Sequence, residues 1–183
     1  MKKLILSAVL LAAGLVAAFA QEQEAAKPSF WDGTFVEVGD GGALSLYAGI
    51  GNAFVLDAGK WFNKSVGVGI NYTNIHIFDD NRSFSDNLVG VAFLWNFLGK
   101  KERESVWTPV LSPELGWLFT NSQNANSSLY AGGSFINYFR VYPNVDLMLN
   151  SKFYFGIDPQ NTGRIRFITT PTLLLSIGAR YSF

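Results

Sequence analysis

The stretch from Leu173 to Phe183 reads LLLSIGARYSF. Leu173, Leu175, Ile177, Ala179, Tyr181 and Phe183 alternate with Leu174, Ser176, Gly178, Arg180 and Ser182. A period of two places these sets on opposite faces of a β-strand, one apolar and one mostly polar. A sheet built from such strands must give its apolar face something to lie against, either a protein core or lipid. That choice constrains the rest of the chain.

The other end offers a first clue. Lys2 and Lys3 precede an uncharged apolar run from Leu4 to Phe19, and the chain turns polar at Gln21. The run is shorter than the roughly 20 residues a membrane-crossing helix needs. Ala18-Phe19-Ala20 suits signal peptidase, so residues 1–20 are expected to be a secretory signal cleaved before Gln21. The remaining 163 residues carry 12 Lys and Arg against 14 Asp and Glu, a net charge of −2 that gives no reason to expect nucleic acid. With no cysteine anywhere, disulfides and a lipid-modified N-terminus are excluded. Charged residues make up 15%, against about 25% in an average soluble domain. After the leader no uncharged stretch approaches helix-spanning length. If the chain crosses a membrane, it must do so as a closed sheet, since only helices and closed barrels satisfy every backbone group in lipid.

Residues 21–32 form a polar lead-in, and 33–183 divide into eight segments. Alternation predicts strands over about 34–40, 53–62, 66–76, 88–98, 107–120, 129–141, 145–155 and 173–183. Strand four, for example, sets Val89, Val91, Phe93, Trp95 and Phe97 against Gly90, Ala92, Leu94 and Asn96. Pro109 and Pro113 in strand five argue for an edge position, a bulge or a strand that begins later. Strand six shows no clean alternation, and its faces stay unassigned. Segments of about ten residues with apolar and polar faces, separated by turn chemistry, predict an all-β, eight-stranded antiparallel up-and-down transmembrane barrel. Placing the C-terminus in the periplasm makes 63–65, 99–105 and 142–144 the periplasmic turns, and 41–52, 77–87, 121–128 and 156–168 the extracellular loops. Trp61, Phe62, Trp95, Phe97, Trp107, Tyr138, Phe139, Tyr181 and Phe183 gather near one set of strand ends, as an aromatic girdle requires. A soluble lipocalin-like or sandwich domain also alternates. Here, however, the polar faces are thin and glycine-rich (Gly67, Gly69, Gly90, Gly116, Gly178), which suits a tube interior better than a wet exterior.

The signal sequence, the eight-segment pattern and Gly178-Ala179-Arg180-Tyr181-Ser182-Phe183 resemble the small OmpA-type outer-membrane barrels. Gly59-Lys60-Trp61-Phe62 followed by Val66-Gly67-Val68-Gly69, and Asn137-Tyr138-Phe139-Arg140 with Val145-Asp146-Leu147, are similar to strand–turn–strand units of that group. The resemblance implies a cell outer-membrane location in a Gram-negative-type bacterium. It also implies insertion by the barrel assembly machinery through a C-terminal signal that includes Tyr181 and Phe183. The peptidoglycan-binding domain of longer members is not expected in a chain ending at Phe183.

The inward faces should carry Glu37, Asp57, Glu114, Asp146, Lys152 and Arg180. In a tube too narrow for bulk water such charges must pair or hydrogen-bond. They are expected to form an ion-pair network that plugs the lumen, with an ion-conducting gate as the alternative; Arg180 is expected to pair with Glu37. Lys60 reads as a snorkelling residue, and Lys100 to Glu104 as a solvated turn. Arg164 and Arg166 are candidates for lipopolysaccharide phosphate. The single histidine, His76, has Asp79, Asp80, Ser83, Ser85 and Asp86 nearby in sequence, the residue types that a lipid A-modifying barrel enzyme uses. No metal or cofactor motif is present. The expected role is structural or surface-interacting, non-catalytic and monomeric, with outer-membrane lipid and lipopolysaccharide as surroundings. A narrow porin and the lipid A enzyme are the alternatives.

Overall fold

The computed structural model describes residues 32–45, 49–78, 83–99, 106–120, 128–157 and 172–183. The signal sequence, nearly all of the lead-in, the 100–104 turn, Asp79, Asp80, Arg164 and Arg166 lie outside the described residues. From Gly33 to Ser182 the chain forms one unit. Eight strands follow one another: β1 (Thr34–Ser45), β2 (Gly49–Trp61), β3 (Val66–Phe78), β4 (Ser83–Trp95), β5 (Trp107–Thr120), β6 (Ser128–Tyr142), β7 (Val145–Ile157) and β8 (Thr172–Ser182). Each pairs antiparallel with the next, and β8 pairs with β1, so the sheet closes into a barrel in the expected up-and-down order.

The register fixes the barrel's shape. Phe35 lies opposite Gly59, and the row continues through Gly69, Ala92, Glu114, Gly132, Tyr154 and Thr172. It returns to β1 at Ser45, ten residues above its start. Such a stagger tilts the strands about 40° and gives a radius of about 8 Å, an interior that side chains can fill. Each residue along a strand then climbs about 2.5 Å along the barrel axis, and each step along the row about 3 Å.

Side-chain direction follows the pleat. Leu175, Ile177, Phe93, Val91, Leu115 and Ile70 face outward and are exposed, whereas Arg180, Lys152 and Glu37 are buried inside. The two strands with the least regular patterns, β5 and β6, resolve simply. In β6 the even residues up to Arg140 point inward, so the bulky Tyr130, Ile136 and Tyr138 are buried while small Ala131 and Gly133 face out; this erases the alternation, and a register shift after Arg140 leaves Tyr142 exposed. β5 is paired on both sides, not an edge. The β4–β5 ladder skips Phe93 and Leu94 and resumes at Trp95↔Leu111, the two pairings that an N–H of Pro113 would complete. Pro109 points toward the same neighbour, but beyond the end of β4 at Trp95, where no partner is lost.

Several expected boundaries move. β1, β2 and β4 extend well into the segments read as loops, leaving only 46–48 and 79–82 as the first two connections on that side. Those are no longer than the opposite 62–65 turn and shorter than the 96–106 connection, so loop length does not distinguish the two rims. Glycine at 41, 42, 49 and 51 and Ser-Asp-Asn at 85–87 look like turn chemistry, yet here they sit in paired strand. Of the girdle aromatics, Trp95, Phe97, Trp107 and Phe139 are exposed on the outer wall, while Trp61 and Tyr138 turn inward and are buried.

Candidate functional site

The inward faces meet in two polar clusters. In the lower one, Asp146 of β7 accepts hydrogen bonds from Arg180 Nε at 3.0 Å and Nη2 at 2.6 Å. Its other oxygen accepts from Arg140 Nε at 2.7 Å. Arg180 is the register partner of both Asp146 on β7 and Glu37 on β1. Glu37 accepts from the Tyr138 hydroxyl at 2.7 Å, and the Arg180 guanidinium lies 3.6 Å from the centre of the Tyr138 ring. Glu37 thus stands beside Arg180 in the register, and Asp146 is the carboxylate that takes both of these arginine N–H bonds. Lys152 lies opposite Leu174, away from this cluster.

The upper cluster is built across the tube. Lys152 reaches from β7 to Glu114 on β5 at 2.5 Å and donates to Thr73 on β3 at 3.1 Å. Glu114 also accepts from Ser134 at 2.6 Å and from Asn71 Nδ2 at 3.0 Å. Asn71, Gly90, Gly116 and Tyr130 form one register row. The Tyr130 side chain lies over the two glycines and donates to Asn71 Oδ1 at 2.7 Å. A Cβ on Gly90 would meet that hydroxyl, and one on Gly116 the ring. Here glycine is required by close approach.

Inward acids outnumber inward bases among the described residues: Glu37, Asp57, Asp86, Glu114 and Asp146 against Arg140, Lys152 and Arg180. Tyrosine hydroxyls serve part of the surplus, Tyr138 for Glu37 and Tyr154 for Asp86 at 3.2 Å. Asp57 lies opposite Glu37, and its Oδ1 is buried without a hydrogen-bond partner. Sequence pattern alone does not place Arg140 or Asp86 inside: β6 has no readable faces, and Ser-Asp-Asn at 85–87 reads as loop.

The interior is not uniformly polar. Val55, Ile75, Ile77, Leu88, Leu118 and Leu174 pack without solvent-exposed surface beside the upper cluster and above it toward the outer rim. Below, Phe35, Trp61, Leu94, Val110, Ile136 and Met148 surround Tyr138.

His76 points out of the barrel. Its Nδ1 is 2.7 Å from Ser85 Oγ on β4. Asp86, on the opposite pleat, is buried inside and bonded to Tyr154, so the wall separates it from that pair. Among the described residues no group of acids and histidines is placed to hold a metal ion.

No protein-family model matches the chain, and no curated protein matches it. Solved structures do. Neisserial surface protein A aligns with a TM-score of 0.64 at 19% identity, covering 83% of this chain and 98% of that one. The N-terminal β-barrel domain of Pseudomonas aeruginosa OprF gives 0.57 at 13%, covering 83% and 98%. The P. aeruginosa outer membrane protein OprG gives 0.56 at 8%, covering 83% and 97%.

Proposed function

Because the chain carries the fold of the small eight-stranded outer-membrane barrels, we propose that it is an integral protein of the outer membrane of a Gram-negative-type bacterium. It is exported by a signal sequence cleaved before Gln21, inserted by the barrel assembly machinery and monomeric. Its role is structural or surface-interacting, without catalysis, and its lumen is plugged by its own side chains. The observation that carries this reading is the inside-out distribution of polarity. Leu175, Ile177 and Phe93 are exposed at 52%, 66% and 46%, while Arg180 is buried at 1%. In water that arrangement would expose an apolar area far beyond what a soluble monomer presents; in lipid it is the stable one. The solvent-free apolar layer and the ion pairs beneath it support a plug rather than a pore. Separation of the Ser85–His76 pair from Asp86 supports a non-catalytic role.

The test is fractionation with gel migration. The protein should partition with outer membranes and migrate differently before and after boiling; recovery in the soluble periplasm overturns the membrane reading. Purified protein in planar bilayers should give no reproducible conductance steps. Regular openings that Arg180→Ala enlarges or abolishes would establish the narrow-pore alternative instead.

A further inference from the structure

At the outer end of β3 and β4 the pleat reverses its chemistry. Ile70, Val89 and Val91 face outward at mid-barrel, but above them the same outer face carries Tyr72, Asn74, His76, Asn87 and Ser85, with Asn52 next to His76 on β2. The residues between them, Ile75, Ile77 and Leu88, turn into the core. By the register, Asn74, Asn87 and His76 stand about 19–24 Å above Phe35 along the axis. Trp117, Phe155 and Leu173 stand at about 19–21 Å on the other side of the barrel, so at one depth the wall is aromatic and aliphatic on β5, β7 and β8 and polar on β2 to β4.

We propose that this polar sector binds the sugar headgroup of a glycolipid in the surrounding leaflet. Polar groups aimed at hydrocarbon are costly unless satisfied, and part of the sector satisfies itself. Tyr72 Oη and Asn74 Nδ2 each donate to Asn87 Oδ1 at 2.9 Å. Those bonds occupy both lone pairs of that oxygen, leaving the Asn87 amide N–H groups and the Asn74 carbonyl oxygen for a ligand. His76 is held through Nδ1 by Ser85, which leaves Nε2 for the outside. The Phe78 ring packs edge-on against His76 at 4.8 Å and is itself exposed. The sector is thus a row of neutral donors and acceptors beside an aromatic ring. Among the described residues it contains no lysine or arginine, the groups that would recognise a bare phosphate. Neutral donors and acceptors match sugar hydroxyls and amides, and the depth matches the boundary between acyl chains and headgroups in a belt about 25 Å tall.

This proposal rests on the membrane reading above, and the experiment separates the two. The full protein and two separate variants, Asn87→Leu and Asn74→Val, are inserted into phosphatidylcholine vesicles with and without purified lipopolysaccharide. Insertion is scored by gel migration, and retained glycolipid by native mass spectrometry. We expect all three proteins to insert, the wild type to retain glycolipid, and each variant to bind it roughly tenfold more weakly. Equal retention by wild type and both inserted variants overturns the glycolipid site and leaves the membrane reading intact. Failure of the wild type to insert in either vesicle overturns both. Binding of the delipidated oligosaccharide in place of the whole glycolipid overturns the assignment to a lipid of the leaflet.

Discussion

The Arg140–Asp146–Arg180 group is the most exacting residue-level arrangement in the barrel. Asp146 is buried, and both of its oxygens accept from guanidinium groups, so it compensates two cations at once. Removing one partner of a buried ion pair costs more than the pair contributes, because the other charge is stranded. Asp146→Ala should therefore lower stability by about 3–5 kcal/mol, read as a lower urea midpoint for unfolding from vesicles at unchanged slope. Glu37→Gln should cost about 1 kcal/mol or less, since the amide oxygen still accepts from Tyr138 and the interior holds acids in excess. Similar losses for both variants would mean that Asp146 is not the principal partner of Arg180. Alternation alone puts Glu37, Asp146 and Arg180 on inward faces but not Arg140, whose strand has no readable faces. It could not identify which face which, because that depends on the stagger between strands. Asp146 and Glu37 flank Arg180 only at the observed register.

At the level of the element, legibility tracked how fully one face was apolar. β7 and β8 read correctly because Leu147, Leu149, Leu173, Leu175 and Ile177 all face out. β6 was opaque because its largest side chains fill the lumen, and Asn137 on its outer face accepts from Trp107 Nε1 at 3.0 Å. The prolines of β5 misled for a different reason: proline removes a donor on one side only, so its cost depends on what stands there. Pro109 faces past the end of β4, and Pro113 faces Phe93. In Pro113→Val the new amide at position 113 should pair across to β4 and be protected in hydrogen exchange, together with restored Phe93 and Leu94 pairings. In Pro109→Val the new amide at position 109 should exchange freely. Equal protection at the two positions would show that the gap in the β4–β5 ladder has another cause.

For the whole molecule, the ten-residue stagger ranks every outward residue by depth, whichever strand carries it. Ile70, Val91 and Ile177, on three different strands, all fall at about 9–12 Å above Phe35, near the middle of a belt about 25 Å tall. Tyr142, at the lower end of β6, falls outside that belt and is exposed at 66%. The same register explains why the interior changes character with height. Ion pairs gather in two tiers of the tube, and a mainly aliphatic layer that encloses the Tyr154–Asp86 pair closes the outer side, where the wall begins to carry asparagine and histidine. If hydrocarbon surrounds this wall, arginine should be penalised by depth and not by exposure alone, since Val91 at 62% and Tyr142 are nearly equally open. Val91→Arg should cost about 2–4 kcal/mol in vesicle unfolding and Tyr142→Arg about 0–1 kcal/mol. An equally small cost at both positions would place Val91 in water and remove the lipid belt from the account.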